Sequence, residues 1–211
     1  MYKITILTIG VFIFLSTSCT KHEIIPAPTP KVDLLAHFEG VIGGQFIEYT
    51  ENVDGYNGLS EIATQSSSGI NNAQYFFSMQ SPSSIPYIQI GLGSMIWNSA
   101  SGTTVPDLTL FNSFFSSNDT PPYTDDAISG FEVTYHSLSG RDFESKGFSV
   151  NSQNVVYNGV VQESDATGDY SKFVCSFDCY IYNTVVDPVT LDETTDSLLV
   201  EQAIYTGWYQ R

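Results

Sequence analysis

Basic residues are scarce in this chain: seven Lys and Arg stand against 23 Asp and Glu, a formal net charge of −16 over 211 residues. Binding to nucleic acid needs clustered Lys or Arg to release the counterions of phosphate, so that class is excluded, as is electrostatic docking on anionic lipid. Cysteine is nearly missing, with only Cys19, Cys175 and Cys179. The N-terminal apolar run, Ile4 to Leu15, is shorter than the roughly 20 residues of a spanning helix. Catalytic signatures are lacking too. Gly91-Leu92-Gly93-Ser94-Met95 misses the last glycine of a nucleophile elbow, and there is no His-Glu-x-x-His pair for zinc. His22, His37 and His136 carry no partner information by themselves. The sequence does not point to an enzyme.

The first residues give an address. Lys3, the apolar run and the small residues of Leu15-Ser16-Thr17-Ser18-Cys19 follow the order of a secretory signal. With a cysteine directly after the small residues, the segment resembles the signal peptide and lipobox of bacterial lipoproteins. Its Ser/Thr-rich form is similar to that of Bacteroidota; Ser16 stands where enterobacterial lipoproteins more often have Leu. The resemblance covers residues 1–19 only. It implies a leader over 1–18 and a lipidated Cys19, with a thioether-linked diacylglyceryl group and an acyl chain on its amino group. Two chains already hold a protein stably on a bilayer. Thr20 rather than Asp follows the cysteine, which favours the outer membrane. Residues 19–33 hold Ile24-Ile25-Pro26-Ala27-Pro28-Thr29-Pro30, a tether of extended polyproline character.

Residues 34–211 read as one β domain. Apolar content of 42% with 14% aromatics argues against disorder. The abundance of Ser, Thr, Asn, Gly and Tyr favours strands and turns. His37–Ile42 and Gln45–Tyr49 flank Gly43-Gly44 as a hairpin with a type I′ or II′ turn. Further strands are expected at 59–65, 74–80, 87–92, 130–137, 154–162, 172–183 and 197–208, and Leu138–Arg141 reads as another hairpin turn. One short helix is expected over Pro106–Phe115, capped by Thr104, with Leu108, Phe111 and Phe115 on one face and Asp107 opposing the dipole. Regular strand spacing with turn signals predicts an all-β, antiparallel β-sandwich of about nine strands. A β-barrel is the alternative.

Candidate sites are few. In Phe173–Ile181 alternation places Cys175 and Cys179 on one face of a strand, with Cα atoms about 13 Å apart, beyond the roughly 7 Å a disulfide tolerates. Two buried free thiols are expected, unless a bulge at Phe177 brings them together. Asn52, Asp54 and Asn57 alternate oxygen donors around Gly55, as a calcium loop does, but no bidentate acid follows at the right distance. An Asp-Gly turn is the plainer reading. Trp97, Tyr56, Tyr87 and Tyr123 sit near predicted loops, where aromatic rings could stack on a sugar. The expected function is therefore that of an outer-membrane-anchored lipoprotein. Its non-enzymatic domain would bind a glycan or an envelope protein. The alternatives are a polysaccharide-acting hydrolase and a structural subunit of an envelope assembly.

Overall fold

The first hairpin shows how this sequence makes its sheet. Burial alternates along β1 (His37–Ile42), so that Phe38, Gly40 and Ile42 face inward. Gly43 and Gly44 then take φ of 59° and 80°, the left-handed pair that a type I′ turn requires. β2 (Gln45–Thr50) returns antiparallel, with Ile42 opposite Gln45 and Phe38 opposite Tyr49.

The computed structural model describes residues 31–98, 102–125, 129–147, 153–186 and 188–211. The expected leader, Cys19 and the expected tether as far as Pro30 lie outside the described residues. Eight more strands follow: β3 (Asn57–Ser67), β4 (Ile70–Ser81), β5 (Ser84–Asn98), β6 (Phe131–His136), β7 (Asp142–Ser145), β8 (Asn154–Asp165), β9 (Gly168–Val186) and β10 (Glu193–Gln210). All pairings between them are antiparallel. The expected all-β antiparallel fold is what the chain adopts.

Nine of the strands run in the order β2-β1-β10-β9-β7-β6-β5-β4-β3, with β8 beside β9 off this path. The branch lies along β9. β10 covers one of its edges for most of its length. β8 takes residues 168–178 of the other edge, and β7 takes Ile181 and Tyr182. The single sheet curls so that its two halves face each other, and its inward residues make one aromatic core. Phe77 of β4 meets Phe173, Tyr205 and Trp208 of β9 and β10, with ring centroids 5.6, 5.5 and 4.8 Å away. Such edge-to-face pairs suit the quadrupoles of the rings. A Cβ on Gly207 would lie 2.3 Å from the Phe77 ring, so only glycine lets this ring reach the sheet. Across the same core the Tyr205 hydroxyl donates to the Ile88 carbonyl at 3.0 Å.

The curl approaches closure without reaching it. Where β3 comes beside the end of β10, the Gln210 amide donates to the Ser60 hydroxyl rather than to a backbone carbonyl. The helix α1 (Leu108–Ser117) packs Phe111 and Phe115 onto Tyr75, and Phe115 stacks on Tyr209 at 4.8 Å.

Three expectations need correction. The helix is capped by Asp107, whose carboxylate accepts from the Leu110 amide at 2.8 Å, rather than by Thr104. A carboxylate three residues before an orphan amide satisfies it directly. Leu108 lies at the solvent edge, 38% exposed, outside the core. A tenth strand, β7, escaped notice because four residues are too few to show a period. Cys175 and Cys179 are both free and buried on the inner face of β9. Burial pushes the Cys179 thiol up to about 12 and Cys175 further still.

Candidate functional site

Between β2, the β4–β5 turn and the far end of β6 lies a cleft of about 800 Å³. Five consecutive residues of β2, Gln45 to Tyr49, form one wall. A strand whose neighbouring residues all border one cavity presents its edge to it, because successive side chains point to opposite faces. β2 stands at the end of the strand order, with β1 on its only paired side.

The register tells which backbone groups are free. Across a two-residue turn, Ile42 and Gln45 form the closing hydrogen-bonded pair, and bonded and non-bonded pairs alternate from there. Gln45, Ile47 and Tyr49 therefore spend their amides and carbonyls on β1. Phe46 and Glu48, opposite Val41 and Glu39, turn theirs to the cleft. The natural guards of an edge are charged side chains, Lys above all, Pro, a bulge or a covering loop, and of these β2 carries a single charge, Glu48. Gln45-Phe46-Ile47-Glu48-Tyr49-Thr50 has neither Lys nor Pro, and its pairing with β1 is unbroken.

The floor is built from tyrosines. Tyr49, Tyr56 and Tyr135 all border the cleft and are each at least nine-tenths buried. Tyr49 and Tyr56 stack on one another, centroids 4.4 Å apart and planes 21° from parallel. The Tyr56 hydroxyl donates to the Pro86 carbonyl at 2.9 Å and lies 3.3 Å from the Ser84 hydroxyl. Burial holds the Tyr49 hydroxyl protonated well above the usual phenol range and raises that of Tyr135 as well. The rim is apolar and exposed at Phe46 (66%) and Leu138 (73%). Its charges are those of Glu48 and Asp54, with His37 Nε2 3.1 Å from the Glu48 carboxylate on the outer face.

Two of the residues singled out from sequence, Tyr56 and Asp54, meet here. The other aromatic candidates do not. Trp97 lies near the end of β5, half-buried against the core, its indole N–H 3.4 Å from the Thr103 carbonyl. Tyr87, also on β5, stacks on His136 at 5.1 Å. Tyr123 is buried against Phe131, its hydroxyl 3.3 Å from the carbonyls of Asn154 and Asp178. These rings came to notice for standing near predicted loops; Tyr87 stands in the strand expected from residue 87, and Trp97 lies in the same strand, which runs on to Asn98.

The Asn52–Asn57 segment is bonded to itself. Asp54 and Gly55 have φ of 51° and 77°, and the Tyr56 amide donates to the Val53 carbonyl at 3.0 Å, making a type I′ turn. The Asn52 amide donates to the Tyr56 carbonyl, Asn57 Nδ2 donates to the Gly55 carbonyl, and the Asp54 carbonyl accepts from Ser81. Among the described residues no three His, Cys, Asp or Glu side chains converge as metal ligands do.

Phe46, Tyr49 and Tyr135 were not singled out from sequence. One signal was present: Phe46-Ile47 puts two apolar residues in succession on a strand, so one of them must face outward. Comparison of the chain with protein-family models, with curated proteins and with solved structures gives no match.

Proposed function

We propose that this protein is a lipid-anchored, non-enzymatic binding module of the bacterial outer membrane, which takes an extended segment of a partner protein onto β2. The observation that carries this reading is the bare edge of β2 along an 800 Å³ cleft. Strand addition uses such an edge for affinity and the side-chain positions beside it for specificity. Phe46 and Glu48 offer two donors and two acceptors. At about 0.5–1.5 kcal/mol net per bond they supply roughly 2–6 kcal/mol. A micromolar complex needs about 8 kcal/mol, so apolar contact with Phe46, Ile47 and Leu138 has to supply the remainder. The anchor rests on Leu15-Ser16-Thr17-Ser18-Cys19 and the Pro-rich stretch behind it.

A protein segment fits this cleft better than a sugar. Pyranose rings stack on open aromatic faces, whereas Tyr49 and Tyr56 spend theirs on each other.

Phe46→Pro tests the reading. Proline deletes the Phe46 amide, which faces the cleft, and leaves the β1 ladder bonded; edge strands tolerate proline at such positions. Short strand-forming peptides, followed by fluorescence polarisation on the protein in detergent, should lose at least about tenfold in affinity while the circular dichroism is kept. Unchanged affinity in the folded variant, or binding of a neutral glycan where no peptide binds, would refute it.

A further inference from the structure

Resting on that reading, we infer that the segment accepted by β2 is basic, with Lys or Arg opposite Glu48 and an apolar residue opposite Phe46. The charge inventory carries this. The charged side chains bordering the cleft are Glu48 and Asp54, and no Lys or Arg borders it. Of the other described Lys and Arg, Arg141 pairs with Asp196, Lys146 with Glu144, Lys172 with Glu163 and Arg211 with Asp169, while Lys31 borders a separate cavity together with Asp33 and Glu51. An acidic segment would find no counter-charge, and would also approach a chain of formal charge −16.

The register of β2 then gives the order of residues. Phe46 and Glu48 point to the outer face, Ile47 to the inner one. In an added strand, side chains directly opposite one another interact at about 0.2–1 kcal/mol per favourable pair, and like charges cost about as much. The residue facing Glu48 is therefore basic, the one facing Phe46 aromatic or β-branched, and the one between them aliphatic, directed toward the tyrosine floor. A second copy of this chain is a poor occupant. Its net charge is the same, and the ribbon that β9 and β10 extend past the rest of the sheet carries Glu193 and Asp196.

The experiment uses three probes: peptides alternating valine with lysine, with glutamate or with serine. Each is titrated into the full chain in detergent and into two variants. Wild type should bind the lysine peptide best, with a preference that weakens as salt rises. Glu48→Lys should lower affinity for the lysine peptide by between about twofold and thirtyfold, as one attraction becomes one repulsion, and raise it for the glutamate peptide. Glu61→Lys makes the same change of net charge on β3, at the far end of the strand order, and should move either value by less than about twofold. Equal binding of all three peptides, or equal effects of the two variants, would overturn the charge rule and leave strand addition standing. Failure of every peptide would overturn both. So would a dimer of the free protein that Phe46→Pro abolishes.

Discussion

Replacing Phe77 by Ala removes the ring on which both halves of the curled sheet meet. Phe77 is fully buried and pairs with Phe173, Tyr205 and Trp208. Loss of a buried Phe costs about 3–5 kcal/mol in transfer and cavity terms. Three ring partners, and a glycine at 207 that cannot fill the space, put this site at the upper end, about 4–5 kcal/mol. A domain of this size has a total of about 5–15 kcal/mol, so the variant should fold but unfold early. With a urea slope of about 2 kcal/mol per molar, the midpoint should fall by about 2 M, read by tryptophan fluorescence and circular dichroism together. Phe46→Ala is the matched control: the same chemistry at a site 66% exposed should cost no more than about 0.5 kcal/mol. A loss below about 1 kcal/mol at Phe77, or equal losses at the two sites, would refute a core built on the facing halves.

Stability should be bounded on both sides in pH, for opposite reasons. Tyr157, Tyr205 and Tyr209 are buried and held protonated, and burial raises Cys179 from its ordinary 9.0 to about 12. These groups ionise more easily unfolded, so the stability they confer is complete below pH 9 and is lost as pH rises toward 12. The tyrosinate absorbance of these buried rings should therefore appear together with unfolding, as a step beyond that of the solvent-reached rings; a complete tyrosine titration in the folded protein would contradict this burial. On the acid side Asp165 is lowered from 3.8 to about 2, first by the Thr167 hydroxyl and then by the Val32 amide. Asp169 is lowered too, first by Ser164 and then by Arg211. Their contribution is present above about pH 4 and fades toward pH 2, and Asp165→Asn should flatten that acid limb in urea titrations.

The strands were legible in the sequence because residue type and turn residues agree: Gly43-Gly44 lies between two runs rich in β-branched and aromatic residues and forms the turn they demand. The helix was legible from Phe111 and Phe115, but not its cap, since Thr104 and Asp107 are both good capping types and only geometry chooses between them. The site was legible in part. Tyr56 and Asp54 drew notice for their loop, whereas Tyr49 and Tyr135 read as ordinary strand residues. What makes the cleft is that β2 ends the strand order, and this follows from β1 pairing with β10, a contact between residues 37–42 and 200–206. Local pattern carries no record of so distant a pairing. Trp97 misled for the converse reason: β5 extends to Asn98, past the expected end at 92, and Tyr87, at the start of the expected strand, spends its ring on His136.

Amide hydrogen exchange along β2 tests the central claim most directly, with the valine–lysine peptide as the added strand. The Phe46 and Glu48 amides should exchange fast in the free protein and slow in the complex, while Ile47 and Tyr49, bonded to β1, are slow in both. Slow exchange at Phe46 and Glu48 before any peptide is added, or no change at these two amides once it is bound, would contradict it.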